Sequence, residues 1–147
     1  MKRASRVEHE FVEFVPNELA KATLYISIPY ATCVHLCLCG CSNRVVTPLS
    51  PTDWRLTFDG ETISLDPSVG NWSFDCQSHY WIDRSRVHWA ARWSRERIDT
   101  NRARARRAKQ RYCGEADETL AEVDPATATD DAQKPGWLGR LLERLRR

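Results

Sequence analysis

At 147 residues the chain is long enough for one domain with a core of its own and too short for several. Its formal net charge of +2 is a near-balance reached by blocks of opposite sign rather than by mixing. No apolar run approaches the roughly 20 residues that span a bilayer, and Met1-Lys2-Arg3-Ala4-Ser5-Arg6 leads into charged residues instead of an apolar signal core, so the expected compartment is the cytoplasm.

Val7 to Val15 interrupts Val7, Phe11, Val12 and Phe14 with Glu8, Glu10 and Glu13, a mixed pattern that suits an edge strand closed by Pro16-Asn17. Thr23 to Tyr30 is rich in β-branched and aromatic residues and reads as a strand half buried on one face, delivering the chain into a cysteine cluster. Arg44 to Pro48 is a short strand stopped by proline. Trp54 to Phe58 and Glu61 to Leu65 flank Asp59-Gly60, a strong hairpin signal. Asp66 to Trp72 reads as a turn, with Trp72-Ser73-Phe74 leading into Cys76. Tyr80 to Ile82 and Arg86 to Ala90 form a second hairpin across Asp83 to Ser85. Short strands with frequent turn signals predict a mainly β fold, a small sandwich or partly open barrel, over residues 1–93.

Beyond Trp93, residues 94–113 carry Arg95, Arg97, Arg102, Arg104, Arg106, Arg107, Lys109 and Arg111 among alanines, which predicts a basic helix. Aromatic residues for base stacking are scarce there, so a solvated helix is preferred over a nucleic-acid arm. Residues 114–134 read as an acidic flexible linker. Residues 135–147 place Trp137, Leu138, Leu141, Leu142 and Leu145 on one helical face, which could dock on a partner protein or a membrane surface, or fold back onto the β domain.

In a reducing compartment the six cysteines are thiols rather than disulfides, and thiolates are good zinc ligands. His35-Leu36-Cys37-Leu38-Cys39-Gly40-Cys41, followed about forty residues later by Cys76-Gln77-Ser78-His79, has a metal-site layout. Cys33 and Cys113, alone among apolar or basic neighbours, read as ordinary buried cysteines. Gly40 beside the ligands suits a tight knuckle that needs positive φ.

Several of these stretches together resemble a small bacterial family: Leu24-Tyr25-Ile26-Ser27, the His35 to Cys41 run, Thr47 to Trp54, Ser64 to Trp72, and Cys76 to Ile82. It is the family catalogued as domain of unknown function 6527. The resemblance runs from about Leu24 to Trp93, roughly half of the chain, and leaves out the tail. It departs from the family pattern at Cys33 and Ser42, where a small apolar residue and a glycine are expected. The resemblance implies a companion of bacterial ubiquitin-like conjugation systems, with a ubiquitin-like protein and its activating or conjugating enzymes as partners. The activity it implies is a peptidase that processes or deconjugates the ubiquitin-like protein.

Six groups, Cys37, Cys39, Cys41, Cys76, His79 and His35, exceed the four ligands of a structural zinc, so some have other work. The preferred assignment is Zn2+ on Cys37, Cys39, Cys41 and Cys76, with His79 as the next ligand. A closed metal leaves the nucleophile to a side chain. Ser78 is the first candidate, with His35 or His79 as its base. Ser68 is the second, with Asn71 as an oxyanion donor. The bland alternative for Ser78 is a hydroxyl bonded to a ligand sulfur or a loop amide. Three protein ligands plus a water would give a zinc hydrolase instead. Cys33-Val34-His35 with Cys76-Gln77-Ser78-His79 also has the spacing of a Rieske iron-sulfur centre, an electron carrier. A non-catalytic zinc adaptor would use the surface around Trp54, Trp72, Trp81 and Trp89, most of which read as core.

Overall fold

The computed structural model describes residues 2–121. Within them the chain forms β1 (Glu8–Phe11), β2 (Thr23–Ser27), β3 (Thr32–Leu36), β4 (Arg44–Pro48), β5 (Arg55–Phe58), β6 (Ile63–Gly70), β7 (His79–Asp83), β8 (Arg86–Trp89) and α1 (Arg95–Ala121). The fold is mainly β, as the turn spacing predicts, in two open four-stranded sheets ordered β1-β2-β3-β4 and β5-β6-β7-β8.

Val7 to Val15 yields an edge strand, shorter than expected and parallel to β2. β2 and β3 occupy the middle of the first sheet. Leu24, Ile26 and Cys33 have no exposed surface, and they join Val45 from β4 in one apolar cluster with Ile63, Leu65, Val69, Tyr80 and Ile82 of the second sheet. That shared cluster is what holds the two sheets together, since apolar area removed from water is the main favourable contribution to folding.

The chain passes between the sheets at two corners. Residues before β1 pair with β8, through Val7 N–H to the Ser85 carbonyl and Val87 N–H to the Ser5 carbonyl, both at 2.9 Å. After β4, a bridge between Leu49 and Trp54 leads into β5. The Asp59-Gly60 turn forms where predicted. The Asp59 carboxylate accepts the Glu61 and Thr62 amides and the Thr62 hydroxyl, and those bonds hold it well below the usual carboxylate range, to about 2.

Two expectations are corrected. Asp66 to Gly70 is not a turn but the second half of β6, and the register with β7 slips between Leu65 and Val69. β3 has no counterpart in the predicted elements, because Cys33 and His35 give the segment the residues of a metal site rather than of a strand.

The first compact unit runs to Gln110, past the boundary expected at Trp93, and a second unit begins at Arg111. α1 runs to Ala121, into the stretch expected to be linker. Its side chains through Gly114 are exposed or half-buried, as a solvated basic helix requires. Within the first unit it is tied down by Lys109 Nζ, 2.7 Å from the Asp53 carboxylate. Cys113 is exposed rather than buried, because this helix presents it to solvent. The rest of the acidic stretch and the terminal amphipathic segment lie outside the described residues. No described helix is long and apolar enough to cross a membrane.

Candidate active site and metal centre

β3 ends at Leu36, and the next residues fold into a knuckle. Gly40 takes φ 91° and donates its N–H to the Cys37 carbonyl, while Cys37 N–H reaches the Asn43 carbonyl. Ser42, where a glycine was expected, takes φ 62° and completes the turn. The knuckle gathers Cys37, Cys39 and Cys41, and the turn before β7 brings Cys76 to them. All four sulfurs lie within 4.8 Å of one another.

The spacing fits an ion. A tetrahedral site with Zn–S bonds of about 2.3 Å needs sulfurs about 3.8 Å apart. Cys37 and Cys39 are 3.4 Å apart, Cys41 and Cys76 3.7 Å, and Cys37 and Cys76 3.9 Å. Polar groups around the sulfurs supply the outer partners that orient metal ligands. Ser78 Oγ lies 3.1 Å from Cys37 Sγ, Asn43 Nδ2 donates to Cys41 Sγ, and Asn71 Nδ2 to Cys37 Sγ.

Burial pushes the Cys37 thiol far above its ordinary range, with the Ser78 hydroxyl pulling the other way, and it raises Cys39 as well. At Cys76 desolvation is outweighed by bonds from the Ser78 backbone and hydroxyl and from the Cys39 and Cys41 thiols, which bring it to about 7. Four neighbouring thiolates repel one another, and a cation at their centre is what makes all four stable together.

The two candidate histidines lie outside the sulfur cluster. His35 is fully buried on β3, its Nε2 2.9 Å from the Tyr80 hydroxyl, and burial lowers it to about 4. His79 opens β7 with both ring nitrogens engaged, Nε2 at 3.0 Å from Ser68 Oγ and Nδ1 at 3.0 Å from the Ala91 carbonyl. Cys33 faces the core, where burial raises its thiol to about 12. The two cysteine-histidine pairs of a Rieske centre are therefore not assembled.

Ser78, the first candidate nucleophile, is buried and committed to Cys37 and to Asn71 Nδ2 at 2.9 Å, with neither imidazole beside it. This is the bland role weighed for it. Asn71 is likewise buried, donating to Ser78 Oγ, Cys37 Sγ and the Tyr80 hydroxyl, so its amide braces the metal knuckle instead of facing Ser68.

The serine that meets a histidine is Ser68. It is half-buried in the stretch of β6 where the register slips, and such bulges re-aim side chains. Two tryptophans flank the histidine. Trp72 and Trp93 stack at 5.5 Å and lie 5.0 and 4.9 Å from the His79 ring, and the Arg97 guanidinium sits 4.4 Å from the Trp93 centroid. Gly70 makes room for this: a Cβ there would collide with the Trp72 indole.

Ala91 and Trp93 were not singled out from sequence, because a backbone carbonyl has no residue signature and Trp93 reads as a domain end. One signal for Ser68 was present. Proline inside a strand pattern marks an edge or a bulge, and Pro67 directly precedes it. Of the tryptophans weighed as contact surface, Trp81 is exposed and stacked on His88, while Trp54, Trp72 and Trp89 are half-buried.

A family model described as "Bacterial ubiquitination-like system serine protease (BubE)" matches residues 11–90, which include the four clustered cysteines, Ser68 and His79. No curated protein and no solved structure matches the chain.

Proposed function

Because the chain belongs to the family of bacterial ubiquitination-like system serine proteases (BubE), we propose that it processes or deconjugates a ubiquitin-like protein, with Ser68 as nucleophile and His79 as general base. The observation that carries this is the 3.0 Å contact from Ser68 Oγ to His79 Nε2, with Nδ1 held at the same distance by the Ala91 carbonyl. A carbonyl only accepts, so Nδ1 bears the proton and Nε2 offers its lone pair to the Ser68 hydroxyl. In the acylation step Ser68 Oγ bonds to the scissile carbonyl carbon as its proton passes to Nε2. The imidazolium then gives that proton to the leaving amine as the C–N bond breaks. Water, deprotonated by the same nitrogen, then attacks the acyl carbon, and the imidazolium returns the proton to Ser68 Oγ as the ester bond breaks. The carbonyl of Ala91 takes the orienting part that a carboxylate plays in the usual triad.

We assign Zn2+ to Cys37, Cys39, Cys41 and Cys76. Four thiolate ligands would leave an ion no open position for substrate, so it would contribute a cross-link between the β3–β4 knuckle and the turn entering β7. His79 opens β7 three residues after Cys76, so an ion held by the four thiolates would fix where the base stands. The partners are the ubiquitin-like protein and its activating or conjugating enzymes, in the cytoplasm. We further infer that the family label read from sequence, domain of unknown function 6527, describes the same group. What supports this is that the resemblance implied, and the family model names, a bacterial ubiquitin-like system.

The test is incubation of the metal-loaded protein with a ubiquitin-like protein carrying a C-terminal extension, followed by mass. Cleavage by wild type that disappears with Ser68→Ala and persists with Ser78→Ala supports the assignment. Cleavage that survives Ser68→Ala overturns it, and retained binding of the ubiquitin-like protein without cleavage by wild type favours the non-catalytic adaptor.

A further inference from the structure

β5 begins at Arg55, opposite Asp66, while β6 continues to Gly70. On that side the stretch from Pro67 to Gly70 has no partner in β5, and Ser68 lies within it. Alongside is a cavity of about 590 Å³ whose apolar lining includes Leu49, Trp54, Leu56 and Pro67. Two carboxylates line it as well, Asp53 and Asp66.

The carboxylates differ. Asp66 is open to solvent with Arg55 3.4 Å away, a surface pair of small consequence. The Asp53 side chain is only 16% exposed. Its Oδ2 accepts the Ser50 hydroxyl at 2.8 Å, and Lys109 Nζ lies 2.7 Å from Oδ1. A lysine from α1 thus already sits on this carboxylate at the wall of the groove. Lys109 is itself about half exposed, so an incoming cation displaces it at little cost.

We propose that this groove is the subsite for the polypeptide segment beside the scissile bond. The segment enters extended, continues the line of β5 along Pro67 to Gly70, lays an apolar side chain against Trp54 and Leu56, and sets a lysine or arginine on Asp53 in place of Lys109. Strand addition supplies backbone hydrogen bonds and the groove supplies selectivity. The inference rests on Ser68 being the nucleophile, since Pro67 is what joins the groove to the reacting hydroxyl.

Two end-blocked hexapeptides test it, one alternating leucine with lysine and the other leucine with glutamate. They are titrated by calorimetry into the full chain carrying Ser68→Ala. The lysine peptide is expected to bind about tenfold more tightly, because like charges facing each other across an interface are costly. Lys109→Ala should tighten it a further threefold or so, the worth of an exposed ion pair. Asp53→Asn, which keeps an acceptor for Ser50, should abolish the discrimination. Equal binding of the two peptides, or discrimination that survives Asp53→Asn, overturns the proposal. Labelling of wild type by a fluorophosphonate reports on Ser68 separately. Labelled Ser68 with no peptide discrimination removes the groove and leaves the peptidase. Discrimination without labelling removes the peptidase and leaves the groove.

Discussion

Ser68 and His79 meet at 3.0 Å diagonally across β6 and β7: past the slip between Leu65 and Val69, His79 pairs with Gly70, and Ser68, two residues before Gly70, reaches its ring. Ser68→Ala and His79→Ala should each lower turnover by about three or more orders of magnitude while leaving the circular dichroism spectrum and metal content unchanged. Single-turnover kinetics with a quantified metal load make the comparison.

Ser78→Ala should behave in the opposite way. Its hydroxyl is bound to Cys37 and Asn71 in a buried setting, and losing such a partner costs about 1–3 kcal/mol. Denaturant melts should register that loss, and turnover per folded, metal-loaded molecule should stay near wild type.

His35 separates the two histidines as cleanly. It is held neutral, near 4, by burial, and its Nε2 faces Tyr80 rather than a serine. His35→Leu should shift stability without altering the pH dependence of turnover. A changed pH profile would return His35 to the chemistry.

Gly70→Ala tests the aromatic wall. The added methyl meets the Trp72 indole, which must move, and overpacking of this kind costs about 1–3 kcal/mol. Displacing Trp72 also removes its stacking on Trp93 and its contact with His79, so kcat should fall with the melting temperature. The shift of Trp fluorescence reports the displacement directly.

Chelation should unfold the protein rather than merely silence it. A metal on Cys37, Cys39, Cys41 and Cys76 would tie the knuckle to the turn before β7, and the binding energy of a structural zinc is folding energy. Prolonged treatment with a strong chelator is expected to remove one ion per chain and to abolish activity and tertiary signal together. Activity lost with the fold intact would place the metal in the reaction.

Much of this was legible in the sequence. Cys37, Cys39, Cys41 and Cys76 could be picked out because soft ligands at close spacing leave few other readings, and Asp59-Gly60 because hairpin turns restrict residue choice. The Ser68 and His79 pairing was harder to see. His79 is a reasonable ligand by its distance from Cys76, and only the pairing of β6 with β7, a contact between strands, shows its Nε2 at Ser68 instead. Pro67 hid the continuation of β6, since Asp66-Pro67-Ser68 has the residues of a turn yet lies inside a strand that runs unbroken to Gly70. His35 looked available beside the cysteines, yet strand alternation on β3 sends it into the core.

The seam formed by the first residues carries one more consequence. Ala4 accepts the Trp89 indole N–H, Arg3 lies over that ring at 4.8 Å, and Ser5 and Val7 hydrogen-bond to β8 just before the chain joins β2. These few residues act as a clasp across both sheets. Trimming them would loosen β8 and, through it, the Ala91 carbonyl two residues downstream, so a cut made far from Ser68 would be felt at the imidazole.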